Sequence, residues 1–434
     1  MTARTACFLP PDTPLPRALT SPSSQFEFRC PGETSAISRA VHLARLAGGY
    51  PACRQCPHRD QVEGLSSRLA KLAALVRRAP GPADWFHEEG AGGGLHEGFN
   101  ADFAGRLAAA FGVSLRDALA LDQGNPAVVV AGDGRAWTQQ LLAAAAERLR
   151  WAACDVVELG AATAPALAWA VTHWRADGGF YLGNPSGRAH AAGVKFFLSK
   201  AQPVSAGDAL SAIRRAVEHP PRRPARRYGA ARGQGGVPHY LERFTESFHA
   251  LRPLRFTLQT TCRPFAAAVD RLLENTACQV IAADAIGGPG NRPAESQVHF
   301  AIAVDDDGER CRLWDERGQP VDFHRLLLLI AAALGGALAG RAVAAGHGIS
   351  DAAAARLAAL GARVVRCGHL RAETYQALVK QQAALGADSA GRIWHTAGGH
   401  VAADALGTLA ILLGRLSCHD RPLSEVLDAE LRDH

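Results

Sequence analysis

The stretch that decides the fold is AVVVAGDGRAWTQQLLAAAAERLRWAACDVVELG, residues 127–160. A short apolar run ends in a glycine turn, a segment with helical spacing follows, and a second apolar run closes the stretch. Residues 161–183 repeat this alternation with another helical segment and the run GGFYLG. Strands that alternate with helices predict right-handed crossovers and a parallel sheet.

The alternation returns downstream of a stretch rich in Pro, Gly and Arg. Strands are predicted over RFTLQTT, CQVIAAD and VHFAIAV, with a helix over FAAAVDRLLENT. A further unit follows, with a long helix over 322–340, helices near 373–385 and 402–416, and strands between them. The sequence therefore predicts an α/β protein with mostly parallel, mixed sheets.

The chain is long enough for several domains. The predicted divisions begin with a disordered arm (1–25) and a small helical unit that contains cysteines (26–82). A first α/β domain (83–219), a basic linker (220–236), a shortened second domain (237–320) and a third domain (321–434) follow.

Composition narrows the class of protein. The chain has 434 residues, a net charge of +6 and 48% hydrophobic residues, which is typical of a globular protein. The longest apolar run, from Leu326, is short and interrupted by glycine, so we expect no membrane span and a cytoplasmic location. The basic stretch 220–236 lacks interleaved aromatic residues, which favours a linker over a nucleic-acid site.

One cysteine group differs from the other, scattered thiols. Cys30, the CxxC pair Cys53 and Cys56, and His58 could supply a tetrahedral zinc site, and His42 is a second candidate for the histidine. The alternative is ordinary thiols on a turn bounded by proline. This N-terminal unit could also bind a partner protein.

The order of segments over roughly residues 86–430 resembles that of the α-D-phosphohexomutases, the phosphoglucomutase and phosphomannomutase superfamily. The segments that carry the resemblance are VVVAGDGRAW, GGFYLGNPSGRAHAAGVKFF, FAIAVDDDGERCRLWDERGQPVDFHRLLLLIA and GADSAGRIWH. It implies three consecutive phosphohexomutase-like domains. On this resemblance we expect the family's fourth domain, which grips the substrate phosphate, to have no counterpart in this sequence.

The resemblance implies a magnesium site in the acidic stretch. The family's D-x-D-x-D-R loop corresponds to Asp305, Asp307, Glu309 and Arg310, with glutamate in place of the last aspartate. Hard oxygen ligands on alternate residues suit a small divalent cation. Asp306 should then point away from the metal, and Arg310 would bind substrate. The alternative is a solvated turn between two strands.

The resemblance also shows what has changed at the reacting centre. The family's nucleophilic serine precedes His-Asn-Pro, and here Leu182 and Gly183 precede Asn-Pro. Ser186 is a displaced candidate. Lys195 matches a family lysine and Arg135 a family arginine, both directed toward the active cleft; the alternatives are a surface lysine and an ion pair at a helix start.

The sugar-recognition loop is altered as well. The family's G-E-x-S-G-H corresponds to a stretch in which Asp388 keeps a carboxylate and Arg392 replaces the histidine, so both are candidate substrate contacts. His395 and His400 lie close by in the sequence. Two hypotheses follow: a catalytically degenerate relative that binds a divalent metal or a hexose phosphate, and an active magnesium-dependent phosphohexomutase with a relocated nucleophile.

Overall fold

A computed structural model describes residues 28–31, 34–48, 50, 52–53, 56–71, 82–95, 98–118, 124–184, 191–221, 223–281, 298–388 and 390–432. Contacts divide the chain into a unit of residues 1–79 and a unit of residues 80–434. The predicted boundary at residue 82 lies close to this division, and the finer division of the second unit stays a prediction. The predicted arm, 1–25, falls outside the described residues.

The first unit combines a small hairpin with a helix. Strand β1 (Phe28–Arg29) pairs antiparallel with β2 (Ala36–Ile37), and α1 (Arg39–Ala47) follows. The side chain of Ser38 accepts a hydrogen bond from a backbone N–H in the first turn of α1, which defines the helix start. The unit predicted as helical therefore also contains a hairpin. Much of the second helix predicted there, over 62–78, lies outside the described residues.

A seven-stranded mixed sheet forms the first part of the second unit. Its strands are β3 (Phe86–His87), β4 (Gly90–Gly94), β5 (Ala127–Gly132), β6 (Asp155–Ala161), β7 (Gly178–Gly183), β8 (Ala191–Leu198) and β9 (Ala231–Gly233). Their order is β3-β4-β8-β7-β5-β6-β9. The accompanying helices are α2 (Ala101–Ala118), α3 (Ala136–Trp151), α4 (Ala164–His173) and α5 (Asp208–Glu218). Strand β5 pairs parallel with β6 and β7, as the alternation predicted.

Strand β5 is apolar throughout because both of its faces are buried. Val128 and Val130 belong to a core that includes residues of α2 and α3, whereas Val129 and Ala131 belong to a core that includes residues of α4. A strand covered by helices on both faces needs a continuous apolar run and cannot show the alternation of a half-exposed strand.

The stretch predicted as a linker, 220–236, is partly built into this sheet. Strand β9 pairs parallel with β6 at the sheet edge. Arg150 Nε donates a hydrogen bond to the backbone oxygen of Gly229 at 3.0 Å. The backbone at Gly229 lies so close to β6 that an added Cβ would be 1.7 Å from the oxygen of Cys154. The linker prediction therefore needs correction, because part of this segment is an edge strand.

Two five-stranded mixed sheets complete the second unit. The first, of order β11-β10-β12-β13-β14, contains β10 (Arg255–Thr260), β11 (Gln279–Ile281), β12 (Phe300–Val304), β13 (Cys311–Asp315) and β14 (Pro320–Val321). The second, of order β16-β15-β17-β18-β19, contains β15 (Ala342–Gly346), β16 (Arg363–Cys367), β17 (Leu385–Ala387), β18 (Ile393–Ala397) and β19 (His400–Ala403). The remaining helices are α6 (Val237–Glu242), α7 (Arg263–Leu273), α8 (Phe323–Leu334), α9 (Asp351–Ala359), α10 (Arg371–Lys380), α11 (Ala405–Ser417) and α12 (Leu423–Arg432).

The α/β prediction is confirmed, with differences at element ends. The helix predicted to run to residue 385 ends at Lys380, and β17 follows it. The helix predicted over 322–340 ends at Leu334. None of the helices in the described part of the chain combines the length and apolar content needed to cross a membrane.

Replacing Gly229 by alanine should destabilise the protein, because the new methyl group would collide with the backbone of Cys154. We expect G229A to lower the free energy of unfolding by about 1–3 kcal/mol, measured by urea denaturation. The control is G233A, four residues further along in β9, where an added Cβ meets nothing within 4 Å. Equal stability of the two variants would show that this segment is a free linker after all.

Candidate functional site

The turn between β12 and β13, residues 305–310, carries four carboxylates in a fixed geometry. Asp305 Oδ1 accepts hydrogen bonds from the backbone N–H groups of Gly308 at 3.0 Å, Glu309 at 3.0 Å and Arg310 at 3.1 Å. Gly308 adopts a φ of 82°, which glycine tolerates without steric cost. The side chains of Asp306, Asp307 and Glu309 are all buried. The turn is therefore not the solvated hairpin tip that was its alternative interpretation.

Two helix N-termini hold the backbone of this turn. The N–H of Ala164, the first residue of α4, donates to the oxygen of Asp307 at 2.9 Å. The N–H of Ala405, the first residue of α11, donates to the oxygen of Gly308 at 3.0 Å. Helix N-termini carry partial positive charge, so both contacts favour an acidic turn at this position.

The carboxylate of Glu309 lies among three buried cations. Its Oε1 accepts from Arg371 Nη2 at 2.6 Å, and its Oε2 accepts from Lys195 Nζ at 2.7 Å and from Arg392 Nε at 3.2 Å. Lys195 also contacts Asp307. Burial alone would raise the pKa of Glu309, but the three cations outweigh it and hold the pKa far below its ordinary value. Glu309 is thus a buried, ionised side chain with full charge compensation.

Arg392 links the sugar-loop segment to the same cluster. Its Nη1 contacts Asp388 Oδ2 at 3.2 Å, and its Nη2 contacts Glu89. Asp388 also accepts from Trp394 Nε1 at 3.1 Å. Burial disfavours the charged guanidinium, yet the carboxylates of Asp388, Glu309 and Glu89 hold the pKa of Arg392 above its ordinary value. The two predicted substrate contacts, Asp388 and Arg392, therefore pair with each other inside the protein.

Arg135 holds the remaining carboxylate of the turn. It contacts Asp133 Oδ2 at 2.6 Å through Nη1 and Asp306 Oδ1 at 3.2 Å through Nη2. Asp306 thus points to a different partner from Glu309, and Arg135 forms the ion pair at a helix start that was its alternative interpretation.

Burial raises the pKa of Asp305 well above its ordinary value, and the neighbouring charge of Asp307 adds to this rise.

Arg310 occupies a more open position than the other predicted substrate contacts. Its side chain is 37% exposed and lies 3.4 Å from Asp305 Oδ2 through Nε. It lines a cavity of about 450 Å³ together with Gln259, Thr260 and Arg312. Ala390 and Gly391 of the sugar-loop segment form another part of the wall. This cavity contains the one predicted substrate contact that faces open space in the described part of the chain.

The position expected to hold the nucleophile is apolar and inaccessible. Leu182 is 0% exposed within β7 and packs in the core that contains residues of α2 and α3. The neighbouring Tyr181 has a fully buried hydroxyl with no hydrogen-bond partner among the described residues. Burial raises the pKa of Tyr181 well above its ordinary value. Ser186, the displaced candidate, lies outside the described residues.

The predicted metal ligands are not arranged as metal sites. Within the described residues, no three His, Cys, Asp or Glu side chains are placed to hold a metal ion. Cys30, Cys53 and Cys56 are buried, but Arg45 Nη1 donates to Cys30 Sγ at 3.0 Å. His58 packs its ring edge against Phe28. Zinc at these cysteines and magnesium at Asp305, Asp307 and Glu309 therefore remain predictions.

Two members of the ionic cluster could not be found from the sequence. Arg371 begins α10 and is 1% exposed, and Glu89 lies between β3 and β4. Arg371 is 62 residues from Glu309 along the chain, and Glu89 is 303 residues from Arg392. No local pattern distinguishes them from surface residues, because their partners come from distant segments.

Comparisons with known proteins agree on one family. Residues 84–221 match the family model described as phosphoglucomutase/phosphomannomutase, alpha/beta/alpha domain I. A phosphomannomutase from Escherichia coli is 24% identical over 277 residues, which is 56% of this chain and 57% of that protein. A phosphoglucomutase/phosphomannomutase from Thermococcus kodakarensis is 24% identical over 337 residues, which is 70% of this chain and 71% of that protein.

A solved structure shares the fold. The crystal structure of a phosphoglucomutase/phosphomannomutase family protein from Burkholderia thailandensis aligns with a TM-score of 0.69 and 20% identity. The alignment covers 80% of this chain and 79% of that chain. The alignment therefore covers most of the solved Burkholderia thailandensis chain. By contrast, the chain spans only 57% of the length of the Escherichia coli phosphomannomutase.

The two histidines beside the sugar loop should make stability depend on pH. Burial lowers the pKa of His395 to about 4 and that of His400 to about 3, from 6.5. Between pH 6.5 and pH 4 the unfolded chain therefore binds protons that the folded chain does not, so the free energy of unfolding falls as the pH falls. We expect H400Q to reduce this slope by up to about 1.4 kcal/mol per pH unit, measured by urea denaturation.

The matched control for this pH series is H249Q, because His249 is exposed. The control should keep the slope of the unsubstituted protein. A slope that is the same in H400Q and in the unsubstituted protein would contradict the assignment of a depressed pKa to His400.

Proposed function

Since the chain belongs to the α-D-phosphohexomutase superfamily, we propose that it is a catalytically degenerate relative of the phosphoglucomutases and phosphomannomutases that binds a hexose phosphate. The proposal has two parts, loss of phosphoryl transfer and retention of an anion-binding cavity. Carbohydrate metabolism is the setting that the family supports.

The leucine at position 182 is the main reason to propose that phosphoryl transfer has been lost. Phosphoryl transfer by this family's route needs a hydroxyl that accepts the phosphoryl group, held in line with the reacting oxygen. A leucine side chain offers no such oxygen, and Leu182 is fully buried. Tyr181, whose hydroxyl is the nearest on β7, is also fully buried. Among the described residues of this strand, none offers an accessible nucleophile.

The ion pairs of the site support the same part of the proposal. Lys195 and Arg392 are the cations that the resemblance places beside the substrate, and both are engaged with buried carboxylates. Releasing either one to a substrate would remove one of the buried donors that compensate Glu309 or Asp388, which is costly. These residues therefore favour a structural role over a catalytic one.

The cavity beside Arg310 supports the second part. Its volume of about 450 Å³ lies within the rough range of 300–1,000 Å³ that small-molecule sites occupy. Arg310 and Arg312 line it together with Asp305, which lies near Nε of Arg310, and arginine forks bind phosphate oxygens in pairs. Gln259 and Thr260 add groups that suit sugar hydroxyls. The ligand class is therefore a phosphorylated sugar.

A second candidate function is an active magnesium-dependent phosphohexomutase in which another hydroxyl, such as that of Ser186, has replaced the family's serine. The retained acidic turn favours this alternative, since the resemblance assigns magnesium to it. Zinc at Cys30, Cys53, Cys56 and His58 would be a separate, structural site in the N-terminal unit. Elemental analysis of the purified chain, which counts zinc and magnesium per chain, tests both metals.

We expect the protein to remain unphosphorylated when it is incubated with glucose 1,6-bisphosphate and Mg²⁺, because its described β7 has no accessible acceptor. Intact-mass spectrometry would then show no gain. A stoichiometric gain of one phosphoryl group, mapped to Ser186 or to another hydroxyl by peptide analysis, would contradict catalytic degeneracy and support the active mutase.

We expect glucose 1-phosphate or mannose 1-phosphate to bind through the two arginines of the cavity. Replacing Arg312 by alanine should weaken binding at least about tenfold in isothermal titration calorimetry, because one charge-assisted contact to phosphate is lost. The matched control is R232A, since Arg232 is an exposed arginine in β9, away from the cavity. Equal affinities for R312A and R232A would place the ligand elsewhere.

A further inference from the structure

The acidic turn raises the question of what neutralises its charge. Four carboxylates lie within residues 305–309, and the resemblance assigns a divalent cation to three of them. Buried like charges at such spacing are unfavourable unless positive charge compensates them. The structure identifies the compensating groups carboxylate by carboxylate.

Glu309 does not fit the role of the third metal ligand. Both of its oxygens accept hydrogen bonds from cations, and Oε2 accepts two, from Lys195 and Arg392. A divalent ion bonded to Glu309 would lie beside three positive charges in a buried region, where repulsion is weakly screened. The side chain thus already has the partners that a metal would provide.

The three aspartates also have protein partners. Asp305 accepts three backbone N–H groups through Oδ1 and lies near Arg310. Asp306 pairs with Arg135, and Asp307 pairs with Lys195. Each carboxylate of the turn therefore has a cation or backbone amides of this chain beside it.

The length of Glu309 explains why the cations can replace a metal. An aspartate at this position would end one methylene earlier, close to the turn. Glutamate extends toward Arg371 at the start of α10, 62 residues away in sequence, and toward Arg392, 83 residues away. It also meets Lys195 of β8, 114 residues away. One side chain thereby joins the first and third sheets of the second unit to the turn of its second sheet.

We propose that the acidic turn is a metal-independent ionic junction, in which Lys195, Arg371 and Arg392 supply the positive charge that the family's magnesium would supply, and Glu309 joins the segments that carry them. This inference rests on the contacts of Glu309 and is independent of hexose-phosphate binding. Failure of sugar-phosphate binding would leave it untouched.

The first test compares thermal unfolding of the unsubstituted full chain in excess EDTA and in 5 mM MgCl₂. The junction predicts midpoints that agree within about 1 °C, because no metal contributes to the folded state. A midpoint that rises with MgCl₂ to saturation by more than about 3 °C, and does so no longer in D305N, would overturn the proposal.

The second test uses E309Q, which keeps the shape of the side chain but removes the carboxylate shared by three buried cations, of which Lys195 and Arg392 keep other carboxylate partners. We expect its melting midpoint to fall by at least about 5 °C, equally in EDTA and in MgCl₂. The matched control is E274Q, at an exposed glutamate, which should change the midpoint little. A fall in E309Q no larger than that in E274Q would contradict the junction.

A third variant tests whether the length of the Glu309 side chain matters in addition to its charge. E309D keeps the carboxylate but shortens it, so the junction predicts a loss of stability in EDTA comparable to that of E309Q. If E309D is as stable as the unsubstituted protein in EDTA, the reach of Glu309 to the arginines does not matter and the proposal fails. The EDTA comparison on the unsubstituted chain decides the question even if these variants do not fold.

Discussion

The buried charge of Glu309 is the constraint on which the second unit of this protein depends. An ionised carboxylate in the interior is tolerated only with close cations, and here these are Lys195, Arg371 and Arg392. The three cations come from β8, from the start of α10 and from the segment before β18. The N-termini of α4 and α11 add hydrogen bonds to the backbone of the same turn. The position of one carboxylate therefore fixes several elements at once.

The same interactions that stabilise the turn occupy the charged groups of its residues. An anion-binding site needs cations with free donors, and Lys195 and Arg392 have carboxylate partners already. A substrate phosphate would have to displace Glu309 or Asp388 and take away one of the buried donors that compensate it. The proposed catalytic degeneracy, with a leucine at position 182, fits this arrangement, because a site that does not bind and release substrate can be permanently ion-paired.

The sequence predicted the features that depend on local patterns. The buried strand β5 and strand β7 were predicted from apolar runs with glycine turns, and the acidic turn from three consecutive aspartates. Features set by distant partners were missed. The helix predicted to residue 385 is cut short because Leu385–Ala387 pairs with β15 and β18, and strand β9 forms because β6 offers it an edge. Arg371 and Glu89 were missed for the same reason, since only the folded chain brings Arg371 to Glu309 and Glu89 to Arg392.

The substitution of glutamate for aspartate at position 309 shows why residue type alone did not decide the chemistry of the site. Both residues offer a carboxylate, so the sequence pattern indicated a metal ligand in either case. The function of that carboxylate depends on which groups surround it at the end of the longer glutamate side chain. Here two arginines from distant segments, Arg371 and Arg392, contact it. A hard-ligand loop and an ion-pair junction are thus closely related structures. We expect the number of protein cations beside the acidic turn to set the balance between them.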